Sequence, residues 1–172
     1  MPEYPIIYDG SFIIFWTGVL LLEFYDGGLL AVAFTLLALL IIITHEHAHA
    51  LQCLKNGNRI FGISFTWLGG AVLADIDKTS DKIDFYKAGI VDTGAYALAF
   101  VEIVAVLWFI HEYLQPIGIN FAPNPYFSLL NSITVFAVVL FICNILPISF
   151  HSKKHDMIIM TDGWATYNLL KA

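Results

Sequence analysis

The chain has 172 residues, of which 59% are hydrophobic and 13% are charged, with a formal net charge of −6 and a mean hydropathy of +0.76. A soluble domain this short does not bury so much apolar surface, so the composition favours a membrane protein in contact with the lipid bilayer. The net charge says little about nucleic acid, and because no basic patch accompanies it, no nucleic-acid partner is expected.

Four apolar segments are candidates for membrane-spanning helices, at 11–25, 29–54, 88–110 and 127–146. The first is short for a hydrocarbon core about 30 Å thick, so whether it spans fully stays open. Asp26-Gly27-Gly28 separates it from the second segment, and Pro147 ends the fourth. The predicted fold class is an all-α polytopic membrane protein with about four transmembrane helices, forming a single domain over 1–172.

The connection between the second and third segments contains F-G-I-S-F-T-W, whose alternation is typical of a strand. Gly69-Gly70 permits a turn, and A-V-L-A-D-I-D can form the return strand, which predicts a small β-hairpin. Two roles are open for these residues, an ordered loop that caps the helices and an edge strand that receives an extended peptide. The side chains expected to share one face are Phe61, Ile63, Phe65 and Trp67.

Basic residues predict the orientation in the membrane. All eight fall in two places, the 55–87 connection and the C-terminal tail. The positive-inside rule therefore places the hairpin and the C-terminus in the cytoplasm. The residues are Lys55, Arg59, Lys78, Lys82, Lys87, Lys153, Lys154 and Lys171.

The second apolar segment carries H-E-H-A-H, from His45 to His49. Residues four apart lie on one face of a helix, so His45 and His49 can hold one Zn²⁺. Glu46 lies beside the metal and can act as the base that takes a proton from water, whereas His47 faces away. Polar groups about 24 Å along a membrane helix from Leu29 are costly and favour a functional role over snorkelling or helix–helix contacts.

A catalytic zinc site needs a third protein ligand, and the later sequence N-I-L-P followed by D-G offers one. H-E-x-x-H, N-x-x-P and D-G in this order resemble the site-2 protease family of intramembrane metalloproteases. The resemblance covers most of the chain and includes Gly69-Gly70 and Ala88-Gly89. It implies that Asp162 is the third zinc ligand and that Asn144 positions the substrate.

The resemblance implies one Zn²⁺ per chain and a transmembrane protein as substrate. The expected location is a prokaryotic cell membrane, with several spans predicted by the apolar segments and an active site that the basic residues place toward the cytoplasm. A regulatory membrane partner stays open. The chain departs from the family at Ile90, where proline is usual, and at Asp92 and Thr93, where small residues and often Asn are usual. The segment 148–161 is also longer than in the compact N-x-x-P-x-x-x-x-D-G pattern.

Several acidic and histidine side chains leave alternatives open. In the long segment, Asp156 or one of His151 and His155 can compete with Asp162 as the third ligand. Asp92, in the third apolar segment, can hydrogen-bond a ligand histidine or be satisfied by a neighbouring helix.

Two other functions fit parts of the pattern. H-x-x-x-H occurs both at His45–His49 and at His151–His155, as a di-iron hydroxylase or desaturase requires, but too few further histidines remain. A metal carrier or a non-catalytic metal-binding protein is the third possibility. The expected function is an intramembrane zinc endopeptidase.

Overall fold

The computed structural model describes residues 5–66, 69–114, 125–147, 149–152 and 157–171. The helices are α1 (Gly10–Lys55), α2 (Thr79–Leu114), α3 (Pro125–Ile145) and α4 (Asp162–Lys171). The strands are β1 (Ile6–Tyr8), β2 (Arg59–Thr66), β3 (Gly69–Asp75), β4 (Ser149–Ser152) and β5 (Met157–Met160).

Helix α1 consists of two helical segments joined at a kink. Asp9 caps its start, where the side chain accepts a hydrogen bond from the Ser11 backbone N–H at 3.0 Å. The kink is at Gly28, whose φ of 65° and ψ of −154° suit a residue without a Cβ. The break expected at Asp26-Gly27-Gly28 is therefore present, and the second segment carries the histidines.

The strands after α1 form a three-stranded sheet in the order β1-β2-β3. β1 pairs with β2 in parallel, and β3 pairs with β2 antiparallel. The expected hairpin is thus β2 and β3, but β2 is the central strand. Its interpretation as an edge strand that receives a peptide is wrong, because Ile6–Tyr8 already occupies the second edge.

The side chains of β2 alternate only in part. Ile63 and Phe65 are fully buried and pack with Ala50 of α1. The pairing of β2 with β3 shifts register between Ile60 and Gly62, and this bulge leaves Phe61 48% exposed. Phe61 therefore does not share the buried face, and Trp67 lies outside the described residues.

The all-α class with four transmembrane helices is wrong. Within the described residues, two helices, Ala31–Lys55 and Thr79–Glu112, are long and apolar enough to cross a membrane. Two further apolar helices, Gly10–Leu22 and Leu129–Ile145, are shorter. The three-stranded sheet and the β4–β5 hairpin also contradict an all-α class.

The error has a physical cause, because hydropathy does not distinguish apolar residues that face lipid from those that face protein. In the first predicted span, Phe12 packs on Phe65 of the sheet, with ring centroids 5.7 Å apart. In the last predicted span, Ile133 and Ala137 of α3 pack against Ile41 of α1. Part of each segment therefore packs in the protein core.

The described parts of the long segment between N-x-x-P and D-G contain β4 and β5, which pair as a two-stranded antiparallel sheet. Ser149 pairs with Met160, so the two ends of the hairpin lie together. The Thr161 hydroxyl donates to the carbonyl of Leu146, which brings the start of α4 next to the end of α3. The extra length therefore does not separate the two motifs.

Candidate metal centre

Three side chains from two distant parts of the chain meet at one point. His45 and His49 come from α1, and Asp162 is the first residue of α4. One ligand atom from each lies within 4.8 Å of the others, so the group can hold a metal ion. Among the described residues, no second group of three or more His, Cys, Asp or Glu side chains lies close enough together to hold a metal ion.

The distances fit tetrahedral coordination. The two Nε2 atoms of His45 and His49 are 3.3 Å apart. Oδ2 of Asp162 lies 3.5 Å from Nε2 of His45 and 3.4 Å from Nε2 of His49. A tetrahedral metal with bonds of about 2.0–2.1 Å separates its ligand atoms by about 3.3–3.4 Å. The triangle therefore has the size of one face of such a site.

Two backbone carbonyls of α2 orient the two imidazoles. Nδ1 of His45 lies 3.2 Å from the carbonyl oxygen of Gly89, and Nδ1 of His49 lies 2.7 Å from that of Phe85. Because a carbonyl only accepts hydrogen bonds, each Nδ1 is the donor. Each neutral ring therefore directs an unprotonated Nε2 toward Asp162.

The converging atoms favour a cation. With Nδ1 protonated on both histidines, both Nε2 atoms and Oδ2 of Asp162 are acceptors. Oδ2 is buried and has no hydrogen-bond partner in the described part of the chain. Buried acceptors normally have partners. A metal ion between the three atoms satisfies all of them at once.

The two histidines and two carbonyls follow from helix geometry. His45 and His49 are one turn apart on α1, and Phe85 and Gly89 are one turn apart on α2. His45 faces Gly89 and His49 faces Phe85, so the two helices run in opposite directions here. One antiparallel helix contact therefore aligns both histidines with their carbonyls. A Cβ at Gly89 would overlap Oδ2 of Asp162 and Nε2 of His49. Glycine is therefore needed where α2 passes the site.

The start of α4 places Asp162. The Thr161 side chain accepts a hydrogen bond from the Trp164 backbone N–H at 3.3 Å, as an N-cap residue does. The carboxylate then lies at a helix N-terminus, which favours negative charge. Gly163 packs against the backbone of Ile145 so closely that a Cβ would overlap the carbonyl group. The D-G pair thus combines a ligand with a close helix contact.

Gly163→Ala is expected to weaken metal binding about 10- to 100-fold, the range for losing the outer support of a ligand. The added methyl group must push α4 away from α3 and displace Asp162. Gly18→Ala is the control, because a Cβ there meets nothing within 4 Å. Titration with Co²⁺ in detergent measures the affinity, and equal affinities in both variants would contradict this account of Gly163.

Glu46 lies beside the metal ligands without joining them. Its side chain is 6% exposed and contacts β3, where a Cβ at Gly70 would lie 2.7 Å from its Cδ atom. His47 points elsewhere, with Nδ1 2.8 Å from the carbonyl oxygen of Ile43. Strand β3 therefore packs against the Glu46 side chain at Gly70.

The structure also locates the two other predicted residues. Asn144 lies in the last turn of α3, and its Nδ2 is buried with no hydrogen-bond partner in the described part of the chain. The Asp92 carboxyl lies 3.5 Å from the hydroxyl of Thr44, so its nearest partner is the residue before His45 rather than a ligand histidine. The sequence did not reveal the roles of the Phe85 and Gly89 carbonyls, although the small pair Ala88-Gly89 marks a close helix contact.

The competing ligands are only partly described. Asp156 and His155 lie outside the described residues, as does the side chain of His151.

No protein-family model matches the chain, and the search of curated proteins found no match.

Proposed function

We propose that this protein is a membrane-associated zinc endopeptidase of the site-2 protease type. The observation that carries the proposal is the group of two imidazole nitrogens and one carboxylate oxygen, in which His49 and Asp162 are buried and His45 is partly buried, with Glu46 in the helical turn between the two histidines. Three ligands of this kind leave a fourth position open in a tetrahedral site, as catalytic zinc sites do.

Zinc fits the donor set better than other divalent cations. Two nitrogens and one oxygen in a tetrahedral arrangement suit Zn²⁺, whereas Mg²⁺ and Ca²⁺ prefer six or more oxygen ligands. Bound zinc would polarise a peptide carbonyl and lower the pKa of water to about 7. One Zn²⁺ per chain is therefore proposed.

The side chains divide the remaining work. Glu46 would take a proton from the attacking water and give it to the departing amine. Asn144 has a buried amide donor without a partner in the described residues, and it would bind a carbonyl of the substrate backbone. Asp92 is placed to hold Thr44 rather than to act on the substrate.

The sheet offers a place for an extended substrate. In the described residues, β3 pairs with β2 on one edge and has no strand on the other. Gly70 of β3 contacts Glu46, so a peptide that joined this edge would pass next to the base. Strand addition uses main-chain hydrogen bonds and holds a peptide in the extended form that proteolysis requires.

The apolar helices favour a membrane-embedded substrate. The most apolar stretches of Ala31–Lys55 and Thr79–Glu112 are only 22% and 11% buried, whereas the core helix of a soluble protein is mostly buried. His45 lies about 21 Å along the first of them from Ala31. The basic residues near 55–87 would place the sheet on the cytoplasmic side.

Metal removal tests the proposal. The full chain, reconstituted in lipid vesicles with a panel of single-span peptides, should yield cleavage products by mass spectrometry. Treatment with 1,10-phenanthroline should abolish cleavage and one equivalent of zinc should restore it, while the non-chelating 1,7-isomer should have no effect. Cleavage by protein shown to be free of metal, or no cleavage of any peptide by the zinc-loaded protein, would contradict the proposal.

A further inference from the structure

The two histidines of the metal centre are held unequally. The carbonyl of Phe85 holds His49 at 2.7 Å, whereas the carbonyl of Gly89 holds His45 at 3.2 Å. Both carbonyls belong to α2 and lie one turn apart, so helix geometry alone predicts similar distances from the two carbonyls to their imidazoles. The difference needs a local cause.

Thr93 supplies that cause. It is fully buried on α2, one turn beyond Gly89, and its hydroxyl donates to the Gly89 carbonyl oxygen at 3.0 Å. The hydroxyl also lies 3.2 Å from the carbonyl oxygen of Ile90. The carbonyl oxygen of Gly89 therefore accepts hydrogen bonds from two side chains, His45 and Thr93.

More hydrogen-bond donors face the Gly89 carbonyl oxygen than it has lone pairs. Inside α2, the Gly89 carbonyl also faces the backbone N–H of Thr93, four residues on. Three donors then compete for an oxygen with two lone pairs. The Phe85 carbonyl faces the N–H of Gly89 and Nδ1 of His49, and no other side-chain donor to it is found among the described residues.

We propose that Thr93 is a positioning residue that weakens the hydrogen bond holding His45 and so makes the two ligand histidines unequal. A carbonyl that accepts from Nδ1 fixes the ring and raises the basicity of Nε2. His49 is then the firmly held ligand and His45 the weaker one. A weaker imidazole donor leaves the bound metal more electron-poor. The inference rests on the metal centre of the proposed function and not on peptide cleavage.

Thr93→Val tests the inference, because valine keeps the shape of the side chain and removes the hydroxyl. With its competitor gone, His45 should bond more firmly to Gly89, and the full chain in detergent should bind Zn²⁺ about 3- to 10-fold tighter in competition with a chelator, the effect of one modest hydrogen bond. Damage to the fold would loosen the zinc instead, so a gain in affinity distinguishes the two roles.

Two controls complete the experiment. Thr134→Val removes a similar hydroxyl on α3, which donates to the Leu130 carbonyl at 2.7 Å, and it should leave the zinc affinity unchanged. Thr93→Ser keeps the hydroxyl and should behave as the wild type. If Thr93→Val does not fold, Thr93→Ala removes the same donor.

Unchanged or weaker zinc binding on loss of the Thr93 hydroxyl would overturn the inference, as would an equal gain in Thr134→Val. These outcomes leave the proposed function standing. Failure of the wild-type chain to bind zinc at all would overturn the metal centre and the inference together.

Discussion

Replacing Glu46 with glutamine is expected to lower the rate of peptide cleavage about 10²- to 10⁴-fold, the usual contribution of a general base. Glutamine has the same shape, so Gly70 and the helix around position 46 should be undisturbed. It accepts no proton, which removes the step assigned to Glu46. Zinc should remain bound, because Glu46 is outside the group that can hold the metal.

The measurement is cleavage of a single-span peptide in vesicles, together with zinc content per chain. Glu102→Gln is the matched control, because Glu102 is an exposed carboxyl on α2, and its cleavage rate should equal that of the wild type. An unchanged rate in Glu46→Gln would remove Glu46 as the base. Loss of zinc from this variant would instead show that Glu46 holds the metal.

Replacing Asp162 with alanine is expected to lower zinc affinity by more than about 100-fold, because disturbing only the support of a ligand already costs about 10- to 100-fold. The change leaves the two imidazole nitrogens with an open side. Wild-type protein purified in detergent should contain one zinc per chain, and the variant should contain almost none. Elemental analysis after dialysis measures both.

Asp84→Ala is the matched control, because Asp84 is an exposed carboxyl on α2 outside the metal group. It should retain the zinc of the wild type. Zinc retained by Asp162→Ala would mean that another residue is the third ligand, and Asp156, His151 and His155 would be the first to replace. Two irons per wild-type chain would instead favour the hydroxylase.

The proximity of the two histidines was predictable because their relation is local. Residues four apart must share a helix face, whatever the rest of the chain does. The structure brings His45 and His49 together as the spacing predicts. The third member of the group was different, since no local rule links position 162 to position 45. It was predicted by resemblance, and the structure places Asp162 beside both histidines.

The four segments are helical, but the prediction that all four span the membrane was wrong, because hydropathy does not tell whether lipid or protein surrounds a side chain. An apolar side chain such as Phe12 or Ile133 suits either lipid or a protein core. Only the structure shows that Phe12 packs on the sheet and Ile133 on α1. β1 escaped prediction because three residues, Ile6–Tyr8, are too few to show a period. Its pairing with β2 also overturned the edge-strand interpretation.

By itself, the sequence determined the apolar character of the chain, the break at Gly28 and the shared face of His45 and His49, because each depends on composition or on neighbours within a few residues. The tertiary structure decided the central place of β2, the alignment of two carbonyls with two imidazoles, and the folding of β4 and β5 that leaves Asp162 beside α3. These features depend on contacts between distant parts of the chain. Such contacts are selected by the packing of the whole fold, so no short stretch of sequence contains them.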